Sequence, residues 1–192
     1  MKDIINFLFE MGILAKTPRS GFHYLGTGSQ SVAEHVNRVA FIGYSLASAC
    51  EGIDVNKVLK MCLFHDMAET RTSDPNYVHQ KYVETKEHKA VQDMTCKLPF
   101  GEDIREIIRE YEERITTESL IAKDADNLEL MLSLKEQLDI GNKNAKDWLD
   151  LAIQRLKTEV GKKAAKMIME TSSDEWWFGD RKSDWWINRG KA

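Results

Sequence analysis

At 192 residues and 42% hydrophobic content, the chain can bury one good core, most simply as a single domain. Its 27 lysines and arginines stand against 31 aspartates and glutamates, a formal net charge of -4, so no basic face advertises binding to nucleic acid or to a membrane. The three cysteines, Cys50, Cys62 and Cys96, lack a paired metal-binding spacing, and their odd number argues against a disulfide scaffold, which makes a cytoplasmic setting the default expectation.

Residues 1–14 place Ile4, Ile5, Phe7, Leu8, Met11 and Leu14 at helical spacing. Asp3 and Glu10 interrupt the apolar run and no small-residue cleavage site follows, so the segment reads as the first helix of the domain rather than a targeting sequence. No run is long enough to span a bilayer. Residues 15–30, with Pro18, Gly21, Gly26 and Gly28, form a loop, and loops on rigid scaffolds commonly supply ligand contacts. The stretch 32–50 is a second helix with Val36, Val39, Ala40, Ile42, Gly43, Leu46 and Ala47 on its apolar face and His35 near its beginning. Ser31 is its N-cap, with Glu34 three residues on in capping-box spacing.

A third helix is expected over 55–64, entered near Asp54, with Val55, Val58, Leu59, Cys62 and Leu63 on one face. His65 and Asp66 fall at its end, about 100° apart around the axis, close enough to lean on one ion. If the helix continues, Glu69 shares their side and sits just outside the ligands. Residues 70–78 are polar and broken by Pro75. Further helices are expected over 80–97, 101–114, 118–137 and 144–169, and the lack of alternating β-branched runs leaves little room for a sheet. The fold class is therefore all-α. His79 and His88 read as surface histidines, His79 near enough to the site to line its rim.

The helix over 118–137 is apolar nearly all round, through Leu120, Ile121, Ala125, Leu128, Leu130, Met131, Leu132 and Leu134, and such helices are buried. An aspartate on it must find a partner or bear a large desolvation cost. Asp124 and Asp126 differ by about 200° around the axis, so they do not both face one ion, and periodicity leaves either available. As an alternative to a metal, either could equally cap a neighbouring helix or pair with Lys123 or an arginine. Four of the five tryptophans lie in the last seventeen residues. Trp176, Trp177 and Phe178 are expected to dock this tail on the core, with a subunit interface as the alternative.

The chemistry lies in the order His35, then His65-Asp66, then an aspartate of the run Lys123-Asp124-Ala125-Asp126-Asn127-Leu128-Glu129. Two imidazoles and two carboxylates form a donor set for one divalent metal ion, of the Mn, Co, Fe, Ni, Zn or Mg kind, and need no cysteine. Four donors leave positions open for water and a substrate oxygen, so the natural reaction class is metal-assisted hydrolysis.

That order closely resembles the HD-domain superfamily of metal-dependent phosphohydrolases, whose pattern is His, His-Asp, then Asp on an all-helical bundle. The resemblance implies an HD-domain helical bundle over 1–180 followed by a tail over 181–192. It carries the metal-ligand role onto His35, His65, Asp66 and Asp126, the last because the family pattern reads Ala-Asp-x-Leu there. Thr17-Pro18-Arg19-Ser20-Gly21-Phe22, Phe64-His65-Asp66-Met67-Ala68-Glu69 with Asp74-Pro75, and Lys123-Asp124-Ala125-Asp126 look like the 5'-deoxynucleotidase branch. That branch removes phosphate from deoxyribonucleoside 5'-monophosphates.

The likeness implies that Arg19 holds the substrate phosphate, as a guanidinium fork does well. Glu69 and Asp74 become the catalytic pair that orients groups or moves protons. Phe22, where the family often has Trp, borders the sugar. A small-molecule nucleotide is compatible with the net negative charge because local cations and the metal offset its phosphate, and the family implies a homodimer. Rival readings are hydrolysis of a deoxynucleoside triphosphate or guanosine tetraphosphate, or a catalytically idle nucleotide-binding module. The Gly-Tyr-Pro extension of cyclic-dinucleotide phosphodiesterases is absent, since Gly43-Tyr44 is followed by Ser45.

Overall fold

The computed structural model describes residues 1–189. Its helices run α1 (Lys2–Met11), α2 (Phe22–Leu25), α3 (Val32–Ser48), α4 (Val55–Phe64), α5 (Glu69–Thr72), α6 (Glu87–Thr95), α7 (Gly101–Glu113), α8 (Thr117–Asp139), α9 (Asn144–Ile153), α10 (Glu159–Glu170), α11 (Glu175–Phe178) and α12 (Trp185–Asn188). Short 3-10 turns occupy Gly12–Ala15 and His79–Lys81, and no strand occurs among the described residues.

The nearly all-apolar stretch becomes the axis of the bundle. Along α8, Ile121, Ala122, Ala125, Leu128, Met131 and Leu134 are buried, packed against Val39 and Leu46 of α3, Val58 and Met61 of α4, and Leu149 and Ala152 of α9. Each fully buried leucine or isoleucine contributes about 1.5–3 kcal/mol relative to leaving it exposed, so this helix dominates the core. A second cluster, around Phe7, Met67, Met94, Leu98 and Ile104, seats α1 and α6 against the turn after α4. Gly43 sets the spacing of α3 and α4, because a Cβ there would collide with Cys62 Sγ.

Local signals were realised at the helix starts. Ser31 Oγ accepts from the Glu34 amide and the Glu34 carboxylate accepts from the Ser31 amide, closing the expected capping box. Asp54 caps α4, and the helix ends with His65 at its C-cap, so it does not run on through Glu69. A turn over 65–68 intervenes before α5. The loop over 19–30 is pinned at its base by a bridge between Pro18 and Ser31, with Arg19 N donating to Gln30 O at 2.8 Å. Within that loop α2 adds one turn of helix, ended by Gly26 at φ 75°.

Three expectations need correction. The helix predicted over 80–97 is shorter, α6 beginning only at Glu87 after a 3-10 turn. The helix predicted over 144–169 is two, α9 and α10, because Thr158 starts a new helix as its N-cap and Asp124 takes up the amides of Lys157 and Thr158 at the break. The tail aromatics do not dock on the core. Trp177, Phe178, Trp185 and Trp186 pack on one another, leaving Trp176 87% exposed. Helices of four residues present too narrow a face to bury four large rings on a neighbour. Of the expected tail over 181–192, residues 190–192 lie outside the described residues. No described helix is long and apolar enough to cross a membrane.

Candidate active site

The capping box fixes where α3 begins, and so places His35 on its first turn, fully buried against α8. His35 Nδ1 lies 2.6 Å from Glu129 Oε2. Beside a carboxylate that nitrogen carries the proton and donates it, which turns Nε2 inward as the nitrogen left to take up a second proton or an ion. At the end of α4, His65 Nδ1 lies 2.9 Å from the Cys62 carbonyl, an acceptor only, so it too donates from Nδ1. The two Nε2 atoms then face each other at 3.3 Å.

Carboxylate oxygens complete the convergence. Asp126 Oδ1 is 3.2 Å from His35 Nε2 and 4.0 Å from His65 Nε2. Its other oxygen accepts from Lys123 Nζ at 2.6 Å and Tyr111 OH at 3.3 Å. Asp66 Oδ2 stands 3.4 Å from His35 Nε2 and 3.2 Å from His65 Nε2. Among the described residues, His35, His65 and Asp126 form a group whose donor atoms all lie within 4.8 Å of one another, and Asp66 Oδ2 borders it on the side of the two histidines. All four residues expected to share an ion are thus brought together.

The electrostatics fit a cation. Burial alone would raise the Asp66 and Asp126 pKa values, but the nearby histidines, with Arg19 beside Asp66 and Lys123 beside Asp126, hold both well below the usual carboxylate range. Burial and Arg19 oppose charge on His35, yet Asp126 and Glu129 outweigh them and raise it to about 9 in the metal-free protein. The pocket therefore attracts positive charge, either a proton or an ion. Two imidazole nitrogens, once the proton on His35 is displaced, and two carboxylate oxygens suit a divalent metal of borderline character.

Around the cluster sits a supporting layer. Glu129 Oε1 accepts from Gln30 Nε2 at 2.7 Å, Arg38 Nε at 2.9 Å and Ser133 Oγ at 3.1 Å. These contacts hold the buried Glu129 as an anion, its pKa lowered to about 2 against the cost of burial by His35 and Arg38. Sequence reasoning gave Glu129 and Tyr111 no role and offered Lys123 as an ion-pair partner for an aspartate of its own run, which it is for Asp126. For Glu129 a signal existed: it lies three residues after Asp126, on the same face of an apolar helix, where a glutamate needs a partner. Tyr111 comes from α7 and only the tertiary fold reveals it.

Asp124 has the other role foreseen for an aspartate here. Buried on the opposite side of α8, it accepts from the Lys157 and Thr158 amides at 2.9 and 2.7 Å and from Thr158 Oγ1 at 2.6 Å. Gly161 makes room, since a Cβ there would strike the Asp124 carboxylate.

The second wall is made by loops. Arg19 Nη1 lies 3.4 Å from Asp66 Oδ2 and 3.8 Å from Asp74 Oδ1. Asp74 Oδ2 accepts from the Ser20 amide at 2.8 Å, and the Asp74 carbonyl from Ser20 Oγ at 2.5 Å, so Asp74 clamps the Arg19 loop over the site. Glu69 lines the same cleft with Oε2 buried and unpartnered. Burial, with Asp66 and Asp74 adding to it and Arg19 opposing, pushes its pKa up to about 10. These residues, with Phe22, surround a cleft of about 450 Å³ that opens onto Asp66 and Asp126. His79 lies outside it, exposed and beside Asn76, and His88 is on the surface beside Glu112.

A model of the HD domain matches residues 11–168. The chain belongs to the HD-domain family. Among relatives of this HD-domain chain, 5'-deoxynucleotidase HDDC2 of Bos taurus is 28% identical over 74% of this chain and 71% of that protein. The 5'-deoxynucleotidase hdd1 of Schizosaccharomyces pombe is 31% identical over 70% of this chain and 72% of its own length. Among solved structures, a conserved hypothetical protein from Pyrococcus furiosus superimposes with a TM-score of 0.74 at 32% identity, covering 86% of this chain and 97% of that one.

Proposed function

We propose that this HD-domain chain is a metal-dependent phosphomonoesterase that removes phosphate from nucleoside 5'-monophosphates, most simply a 5'-deoxynucleotidase. The observation that carries this reading is the convergence of His35 Nε2, His65 Nε2, Asp66 Oδ2 and Asp126 Oδ1 on one point at the floor of a cleft overhung by Arg19. Similarity to proteins named 5'-deoxynucleotidases supports it.

In this reading His35, His65, Asp66 and Asp126 hold one divalent ion. Such an ion acidifies water and draws charge from a phosphoryl oxygen. The remaining work belongs to side chains. Arg19 grips the 5'-phosphate: its Nη1 faces Asp66 and Asp74, and a guanidinium carries five N–H donors in all. Asp74 keeps that arginine in place through Ser20. Glu69, whose pKa burial raises to about 10 in the metal-free protein, would give its proton to the departing 5' oxygen as water attacks phosphorus, yielding nucleoside and inorganic phosphate. Phe22 borders the sugar, its half-buried ring packed beside Gly28. A free nucleotide partner, a homodimer and a cytoplasmic setting belong to the same proposal.

A phosphate-release screen of deoxy- and ribonucleoside 5'-monophosphates against a panel of divalent metals tests it. Inorganic phosphate from the deoxy series, only when metal is present, is the expected result. Tripolyphosphate from deoxynucleoside triphosphates, or pyrophosphate from guanosine tetraphosphate, in place of that release would assign a different reaction. No release from any nucleotide by metal-loaded protein would leave a binding module.

A further inference from the structure

The cleft is larger than a phosphate needs. At about 450 Å³ it falls within the roughly 300–1,000 Å³ of small-ligand sites, and its lining includes the aromatic and apolar side chains of Phe22, Leu25, Tyr77, Leu130 and Trp148. None of these rings has a part in phosphate chemistry.

Trp148, on α9, is the one tryptophan outside the C-terminal tail and is half-buried in the cleft wall. Its ring edge lies against the loop that carries Arg19 and Phe22, since a Cβ on Gly21 would sit 3.7 Å from Trp148 Cζ3. Tyr77 stands edge-on to it, ring centroids 6.1 Å apart with planes at 80°. Although 46% exposed, Tyr77 is held: Arg155 Nη2 donates to its hydroxyl at 2.6 Å, and the guanidinium carbon lies 5.3 Å from the ring centroid. Tyr77 follows Asp74 and Pro75 on the segment that also clamps Arg19, so one loop ties the ring to the phosphate end of the cleft.

From this placement we infer that Trp148 and Tyr77, braced by Arg155, form a nucleobase platform on which the base of the substrate stacks while its phosphate lies at Arg19. The inference rests on the nucleotidase reading and deepens it. Every nucleobase has a π-face, so a platform that binds by stacking gives affinity without strong choice among bases. The arrangement also gives a use to the aromatic pair in a cleft otherwise lined largely by charged side chains of both signs, among them Asp66, Asp126, Arg19 and Lys123.

The test compares dAMP with 2-deoxyribose 5-phosphate, which keeps the sugar and phosphate but has no base. In Trp148→Ala the ratio of kcat/KM for dAMP over deoxyribose 5-phosphate is expected to fall about tenfold, mainly through KM, as loss of one stacking surface of about 1.4 kcal/mol would give. Trp148→Phe, which keeps a flat ring, is expected to restore most of the ratio. An unchanged ratio, or equal loss on both substrates, would overturn the platform, because a purely structural role for Trp148 affects both alike. Calorimetric titration with deoxyadenosine, which has no phosphate to hydrolyse, separates the two layers of the argument. Binding to wild type that weakens about tenfold in Trp148→Ala supports the platform even if no monophosphate is hydrolysed, an outcome that would sink only the nucleotidase reading. No binding of deoxyadenosine to wild type would count against the platform itself.

Discussion

On one wall of the cleft, His35, His65 and Asp126 are presented by α3, the end of α4 and α8, elements whose apolar faces form the core. On the other, Arg19 and Phe22 come from the loop over 19–30, Glu69 from α5 and Asp74 from the irregular segment that follows it. The helical wall is preorganised by packing: His35 is locked by Glu129 and His65 by the Cys62 carbonyl. The loop wall is preorganised by polar clamps, the Asp74 contacts to Ser20 and the Pro18–Ser31 bridge. Rigid helices suit a fixed donor geometry, and clamped loops suit a substrate that must enter and leave.

Changes on the two walls should therefore separate ion binding from turnover. The largest effect on the loop side is expected at Glu69. Glu69→Gln should retain its metal while turnover falls by about 10²–10⁴-fold, the usual contribution of a positioned proton donor. Metal analysis beside steady-state kinetics checks this, and an unchanged rate would remove Glu69 from the chemistry.

Behind the helical wall, Glu129→Gln keeps the shape of the side chain but weakens its hold on His35, so metal affinity should fall by about 10–100-fold. The pH dependence carries a sign. His35 is raised to about 9 in the metal-free protein, so below that pH an incoming ion must displace a proton, and affinity should rise with pH and level off near 9. Stability of the metal-free fold follows the same group: the contribution is fully present below about pH 6.5 and is lost as pH rises through about 9. In Glu129→Gln the levelling point should move to lower pH. Calorimetry in buffers of different ionisation enthalpy reads the released proton directly.

The smallest effect is expected at Phe22. Opening the wall beside the sugar with Phe22→Ala should narrow the difference between dAMP and AMP hydrolysis by a few-fold without loss of metal. Equal hydrolysis of both by the wild-type protein would remove the deoxy preference and leave the phosphomonoesterase reading in place.

The same division decides what the sequence could reveal. Periodicity located α3, α4 and α8, and cap residues located two of their starts, because those features depend on neighbours within one helix. The choice between Asp124 and Asp126 was not available from spacing. It depends on what packs on each side of α8, the Thr158 turn on one and two histidines on the other. The break between α9 and α10 was hidden for the same reason, since the carboxylate that receives its free amides comes from Asp124, thirty-three residues earlier. Tyr111, Tyr77 and Trp148 reach the cleft from separate elements, so no local pattern marks them.

The central claim is that one face of α8 holds an ion and the other holds the fold. Elemental analysis of purified wild type, Asp126→Ala and Asp124→Ala, each confirmed folded by circular dichroism, tests it most directly. The account predicts about one divalent ion per chain in the wild type, loss of that ion in Asp126→Ala, and its retention in Asp124→Ala at a stability cost of about 1–3 kcal/mol from the orphaned amides. Full occupancy in Asp126→Ala would contradict it.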